Sequence, residues 1–190
     1  MKPIFIQDQT FTGIDFTVTP LAKGEYDNCT FIGCSFSEAG VFNNSFLECE
    51  FVECDFSNAN ITNTSFNEVL FTKCKLLGLR FDKCNPFLLS FKFQECNLNL
   101  ASFYNMTLKK IIFDTCKLQD VDFSETNLTG ASFNHCDLKR AVFESTILEK
   151  TDFRTAVNYS LDPEKNRLKK AKFSKEGVAG LLQKYDISVQ

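Results

Sequence analysis

The chain has 190 residues and a formal net charge of −3, a length that suits one domain with a sizeable core. It contains 22 Phe, 9 Cys, no Trp and a single His, a composition that indicates one structural position used many times. It shows neither a signal-peptide-like N-terminus nor a run of ~20 apolar residues, so we expect a cytoplasmic protein without a membrane span.

The first element is a short segment, residues 1–10, that precedes any periodic pattern. It carries the apolar residues Ile4, Phe5 and Ile6. An array of repeats needs covered ends, so we predict that this segment is an N-terminal cap.

A five-residue repeat occupies residues 11–157. An apolar residue recurs at every fifth position from Phe11 to Phe81 and again, after a shift of two, from Phe93 to Phe153. A small or β-branched residue usually stands two positions earlier, on the same face of an extended segment. That position holds all the cysteines: Cys29, Cys34, Cys49, Cys54, Cys74, Cys84, Cys96, Cys116 and Cys136. A period of five is typical neither of an α-helix nor of an ordinary strand.

This unit resembles the pentapeptide-repeat family, whose consensus is a small residue, a polar one, Leu or Phe, and two polar ones. The resemblance implies an all-β fold, a right-handed quadrilateral β-helix with one pentapeptide per side and 20 residues per coil. The sequence agrees with that coil length, because Phe93, Phe113, Phe133 and Phe153 are 20 apart. Stacks of identical residues are typical of a solenoid whose coils contact only their neighbours.

The register changes within residues 84–93. Asn85-Pro86 is a turn signal, and the two registers differ by only two residues. We therefore predict a kink or small bulge here; a partner-binding protrusion is the alternative.

The last element, residues 158–190, lacks the repeat. Val178, Leu181, Leu182 and Tyr185 have helical spacing, and Ser174 suits an N-cap. We predict a short C-terminal α-helix that caps the last coil, packs on a second copy, or does both.

No residues support catalysis. Every cysteine is assigned to the core, and His135, the one histidine, stands at an outward position. The sequence has no Cys/His ligand set with zinc spacing and no phosphate-binding glycine loop. We therefore expect neither an enzyme nor a bound cofactor or metal.

Charge divides the chain unevenly. Residues 1–72 carry ten acidic and two basic residues, whereas residues 73–110 carry seven basic and two acidic ones. About three coils at the ~4.8 Å strand spacing give the acidic third roughly one charge per 2 Å, comparable with ~1.7 Å in duplex DNA. The acids form no unbroken ladder at spacing 20, so ordinary solubility charge is the alternative. The candidate partner-binding residues are Glu38, Glu48, Glu50, Glu53 and Asp55.

Two segments resemble particular members of the pentapeptide-repeat family. Residues 181–189 look like the C-terminal helix of Qnr-type quinolone-resistance proteins, and residues 161–168 resemble the tail of the immunity protein against a gyrase-poisoning microcin. These relatives imply a rod-like homodimer, joined through Val178, Leu181, Leu182 and Tyr185. They also imply a DNA mimic that binds DNA gyrase or topoisomerase IV rather than nucleic acid. This chain lacks the long projecting loops of Qnr proteins.

Three functions follow as hypotheses. A topoisomerase-binding DNA mimic would depend on the acidic third. A scaffold for an unrelated protein would bind without it. An enzyme would lose turnover on mutation of His135 or a cysteine.

Overall fold

The computed structural model describes residues 4–187, which form a parallel β-solenoid. Its short strands lie in two sheets, ordered β1-β3-β5-β7 and β11-β10-β9-β8-β6-β4-β2. The strands are β1 (Ile4–Gln7), β2 (Thr10–Thr12), β3 (Gly24–Asp27), β4 (Thr30–Ile32), β5 (Ser45–Leu47), β6 (Glu50–Val52), β7 (Ser65–Asn67), β8 (Val69–Thr72), β9 (Phe91–Gln94), β10 (Ile112–Asp114) and β11 (Ser132–Asn134). The predicted fold class is confirmed.

Each coil has four sides. Side A is the four-stranded sheet. Beyond the sheet it continues as single bridges between successive coils, which join Thr107, Asn127, Ile147 and Arg167 in that order. Side B is the seven-stranded sheet that follows it along the chain. Sides C and D are stacks of single bridges, such as Ser35 with Asp55 and Ser102 with Asp122.

Successive coils pair residues 20 apart, as the spacing predicts. Phe31 pairs with Phe51 and Phe113 with Phe133. The offset becomes 22 residues where Phe71 pairs with Phe93, so the column continues through the change of register. The N-terminal segment joins the first coil, since β1 pairs in parallel with β3.

Aromatic rings fill the core. Rings stacked along one side lie nearly parallel, such as Phe113 and Phe133 with centroids 5.1 Å apart. Rings on opposite sides meet edge to face across the core, as Phe113 on side B meets Phe103 at 5.7 Å and Phe123 at 5.9 Å. Both arrangements are favourable aromatic geometries, and they make the core one continuous column.

The cysteines are small core residues, as predicted. All nine are buried and free. The offset of 22 aligns Cys74 with Cys96, so the cysteines before and after the register change form a single column. Its members are Cys34, Cys54, Cys74, Cys96, Cys116 and Cys136. Each thiol is satisfied by backbone, as Cys116 shows by donating to the Asp114 carbonyl at 3.3 Å.

Left-handed residues make the corners. Almost every fifth residue has positive φ, from +48° at Asn28 to +62° at Leu100 among non-glycine residues. One such residue turns the chain sharply after each extended segment, so the four sides close into a coil. Polar side chains at these positions point outward, which explains why the polar residues of the repeat tolerate such varied identities.

The register change forms a small bulge on side A, residues 85–90. The Phe87 amide donates to Asn85 Oδ1 at 3.0 Å, and Leu88 has a φ of +53°. Phe87 and Leu88 are 73% and 62% exposed, whereas Leu89 packs against the core. Phe91 occupies a small-residue position and is buried. Its larger ring fills the space that the bulging chain vacates.

The C-terminal segment differs from the predicted α-helix. It forms two short 3-10 helices, Glu176–Leu181 and Gln183–Tyr185. Segments this short do not sustain an α-helix unaided, and Gly177 and Gly180 weaken one further. A Cβ at Gly180 would overlap the Tyr159 carbonyl oxygen, so close packing on the last coil requires glycine there.

Candidate functional site

Six carboxylates lie on side A and around its corner with side B over the first four coils. This acidic edge consists of Asp8, Glu25, Asp27, Glu48, Glu50 and Glu68. Asp8, Glu48 and Glu68 are left-handed corner residues, so their side chains project from the solenoid. Backbone hydrogen bonds fix the spacing, since the Asp8 amide donates to the Asp27 carbonyl at 3.1 Å and the Glu48 amide to the Asn67 carbonyl at 2.9 Å. The carboxylates are thus held by a rigid ladder.

The structure divides the five predicted acidic residues among several corners. Glu48 and Glu50 flank the corner between sides A and B, within the acidic edge. Glu53 and Asp55 lie one corner further along the coil, at the junction of sides B and C. Glu38 lies at the corner after side C, in the preceding coil. The five therefore surround the rod and do not form one face.

Asp55 already interacts with other side chains of the protein. Burial tends to raise the pKa of Asp55, but hydrogen bonds from Ser57 and the Lys75 ammonium, 3.5 Å away, hold that pKa below its ordinary value. Its charge is already offset by Lys75. Asp55 is consequently a weaker candidate for contacting a partner than the carboxylates of the acidic edge.

Sequence reasoning missed four members of the acidic edge: Asp8, Glu25, Asp27 and Glu68. A signal existed, because Asp8, Asn28, Glu48 and Glu68 are 20 apart with one Asn interrupting the series. Asn28 does not break the polar edge, since its Nδ2 donates to Asp8 Oδ1 at 2.7 Å. Glu25 and Asp27 join the edge because β3 presents both outward.

The predicted dimer residues have unequal environments. Leu181 packs against the chain's own core, and Leu182 is half-buried. Val178 and Tyr185 are exposed, although the Tyr185 hydroxyl lies 3.2 Å from Glu164 Oε1, to which it donates. The segment therefore covers the last coil with Leu181 and leaves the side chains of Val178 and Tyr185 accessible.

His135 and the cysteines are the other side chains that could support chemistry. His135 is an exposed corner residue whose amide donates to Thr155 Oγ1 at 3.0 Å, and its imidazole faces outward. Within residues 4–187, no group of three or more His, Cys, Asp or Glu side chains is arranged to hold a metal ion.

No helix in the described part of the chain has the length and apolar character needed to cross a membrane.

Comparison with solved structures shows the same fold at low identity. The trypsin-treated form of QnrB1, a plasmid-mediated fluoroquinolone resistance protein, gives a TM-score of 0.72 at 18% identity, covering 100% of this chain and 92% of that one. Full-length QnrB1 gives 0.58 at 16% identity, covering 97% and 100%. HetL, involved in heterocyst differentiation regulation in the cyanobacterium Nostoc sp. strain PCC 7120, gives 0.57 at 17% identity, covering 93% and 87%.

Sequence comparison matches a family model but no individual curated protein. A search of curated proteins finds no match. The model of the family described as a pentapeptide repeat region matches residues 44–121 and 80–154. These matches span more than half of the chain, which therefore belongs to the pentapeptide-repeat family.

Proposed function

We propose that this protein is a non-enzymatic binding protein whose acidic edge occupies the DNA-binding groove of a type II topoisomerase, with DNA gyrase as the first candidate. The observation that carries the proposal is the acidic edge itself, six carboxylates on side A and around its corner with side B. Fold likeness to QnrB1 and the resemblance of the tail to Qnr-type proteins support this choice of partner.

The spacing of the carboxylates suits a surface that normally binds DNA. Four coils span three steps of ~4.8 Å, so six carboxylates occupy about 14 Å, or roughly one charge per 2.4 Å, against ~1.7 Å in duplex DNA. None of the six has a Lys or Arg within ion-pair distance among residues 4–187. Their charge is available to basic side chains of a partner.

Rigidity adds to the charge match. The corner residues are tied by backbone hydrogen bonds to the next coil, and the stacked aromatic core lies directly beneath them. A pre-ordered surface loses little conformational entropy on binding, so more of the interaction energy contributes to affinity. The nine free thiols suit a reducing compartment, and we place this binding in the cytoplasm.

Homodimerisation through the C-terminal segment belongs to the same proposal. Val178 and Tyr185 are exposed at the end of the rod, where a second copy could cover them. The acidic edges would then lie at the two far ends of the assembly.

The test is inhibition of gyrase supercoiling by the purified protein, with and without a quinolone. The edge variant combines Glu48→Gln, Glu50→Gln and Glu68→Gln. Its matched control combines Glu38→Gln, Glu53→Gln and Glu95→Gln, which remove the same charge from other corners. We expect inhibition or quinolone protection by the unmodified protein, a loss in the edge variant, and little change in the control.

Other outcomes would contradict the proposal in different ways. Equal losses in both variants would mean that net charge acts without a defined surface. No effect of the unmodified protein at micromolar concentration would exclude gyrase. A different protein captured equally by the edge variant and the unmodified protein would support the scaffold hypothesis.

A further inference from the structure

Side A and its following corner carry opposite charges on the two halves of the rod. Before the bulge, the charged residues of this surface are Asp8, Glu25, Asp27, Glu48 and Glu68. After the bulge, they are Lys109, Lys110, Glu149, Lys150, Arg167, Lys169 and Lys170. The first half has only acids, and the second has six bases and one acid. This surface is therefore complementary to itself when reversed end to end.

Most of these charges lack a partner within the chain. Among residues 4–187, the only ion pair that joins two of them is Arg167 with Glu149, at 2.7 Å. Elsewhere, opposite charges in successive coils pair directly, as Arg140 does with Asp120 at 2.6 Å and Lys75 with Asp55 at 3.5 Å. Side A thus presents unneutralised charge of both signs on one rigid surface.

The bulge lies at the midpoint of this pattern. The corner after side A presents Asp8, Asn28, Glu48 and Glu68 in the four coils before it. It presents Lys110, Gly130, Lys150 and Lys170 in the four coils after it. Phe87 and Leu88, both largely exposed, project between the two halves. Exposed apolar residues at the centre of a charged surface are typical of protein interfaces.

We propose that side A pairs with side A of a second copy, with the two rods antiparallel and a two-fold axis through the bulge. In this arrangement each column of side chains faces its own column in reverse order, as an isologous contact requires. Phe87 and Leu88 meet their own copies at the axis.

The reversal matches individual positions along the corner. Coils equally far from the bulge face each other, so Glu68 faces Lys110 and Asp8 faces Lys170. Glu48 faces Gly130, which leaves its carboxylate room to reach the neighbouring Lys150. A parallel pairing would instead place acids against acids and lysines against lysines. The charge pattern consequently selects the antiparallel orientation.

The strength of this pairing follows from its size and composition. The contact lies along one narrow side and is mainly electrostatic, which places it among weak, small interfaces. Its charges are exposed, so added salt should screen them strongly. We expect association at low ionic strength that is lost between about 0.05 M and about 0.5 M salt.

Charge reversal gives a direct test by sedimentation equilibrium. All proteins carry Val178→Ser and Tyr185→Ser, which remove the proposed C-terminal contact. In this background, one variant combines Glu48→Lys and Glu68→Lys, and the other combines Lys110→Glu and Lys150→Glu. Each variant alone should dimerise at least about tenfold more weakly than the background protein, because like charges then face each other. An equimolar mixture should associate again, since the reversed positions of one variant then face the reversed positions of the other and the charges are again opposite. Controls with Glu38→Lys and Glu53→Lys, or Lys117→Glu and Lys139→Glu, should dimerise normally.

A cysteine placed at the axis tests the geometry independently. Leu88 and Leu100 are a matched pair, both left-handed and 62% and 59% exposed, but Leu100 lies at the corner after side C. Mild oxidation should link Leu88→Cys to its own copy by a disulfide and leave Leu100→Cys without a covalent link. The native thiols are buried and should not contribute.

Four results would overturn the proposal. The protein with Val178→Ser and Tyr185→Ser could stay monomeric at low salt, or the mixed variants could fail to associate. Association in this background that resists charge reversal would show that a surface other than side A pairs. Binding of duplex DNA that requires Lys110 and Lys150, without self-association, would assign the lysines to nucleic acid.

Discussion

At the scale of single residues, each inward position has one physical task. Large rings such as Phe113 fill the centre of a side, and small residues such as Cys116 fill the space beside the turn. Both are buried, but they contribute different amounts to stability because the areas of apolar surface that they remove from water differ. Measurements on the two positions should separate these contributions.

Phe113→Ala should leave a cavity between two stacked rings and lower the free energy of unfolding by about 3–5 kcal/mol. Cys116→Ala removes one weak donor and little volume, and it should cost about 1 kcal/mol. Urea denaturation of both variants would measure the difference. Equal losses would contradict the stacked-ring account of the core.

The Cys49 thiol should make stability fall at high pH. Burial raises the pKa of the Cys49 thiol from 9.0 to about 12. Above pH 9.0 the unfolded thiol therefore ionises while the folded one stays protonated, so the unfolded state binds fewer protons. The stabilising contribution is complete below pH 9.0 and is lost progressively as the pH rises toward 12. Denaturation curves across this range should show a smaller decline in Cys49→Ala.

At the scale of elements, a coil depends on its left-handed corners. Glycine adopts positive φ without strain, whereas a β-branched residue pays a steric cost there. Gly33 and Thr115 occupy the same corner in different coils, with φ of +59° and +54°. The bulge is a variation on this element, since Leu88 takes the same conformation in the middle of a side.

Substitutions at these two corners should have opposite effects. A Cβ at Gly33 would meet no atom within 4 Å, so Gly33→Ala tests the backbone cost alone and should destabilise by about 1 kcal/mol. Thr115→Gly should relieve strain, with part of the gain offset by the greater freedom of glycine in the unfolded chain. Thermal unfolding would reveal the signs. A stabilising Gly33→Ala would contradict the role assigned to the corner.

At the scale of the whole molecule, both proposals use the carboxylates of the acidic edge. A second copy placed along side A would cover Glu48 and Glu68, and a topoisomerase groove would contact the same residues. The two partners therefore exclude each other. Pairing of two rods would cover the acidic edge until a more basic protein surface displaces the second copy.

Neutralising the basic half should separate these roles. Lys110→Ser with Lys150→Ser should weaken self-association yet leave every carboxylate of the acidic edge in place. We expect this variant to inhibit supercoiling at lower protein concentration than the unmodified protein at low salt. Unchanged inhibition despite lost self-association would show that the two partners do not compete.

The sequence by itself determined the solenoid, because two inward positions in every five residues require a side that repeats and a core that is shared. It also determined the stacking interval, since Phe113 and Phe133 are useful neighbours only if coils contain 20 residues. Burial of all nine cysteines followed from the same periodicity.

Tertiary structure decided which surface residues meet. Acids close in sequence, such as Glu48 and Asp55, lie on different corners, whereas Glu48 and Glu68 are neighbours through the coil. Phe91 occupies a small-residue position only because the bulge beside it leaves space. The C-terminal helices are 3-10 rather than α because they are short and contain Gly177 and Gly180, both of which lie against Tyr159. Local periodicity fixes what a repeated position buries, but contacts across coils and at their ends depend on three-dimensional packing.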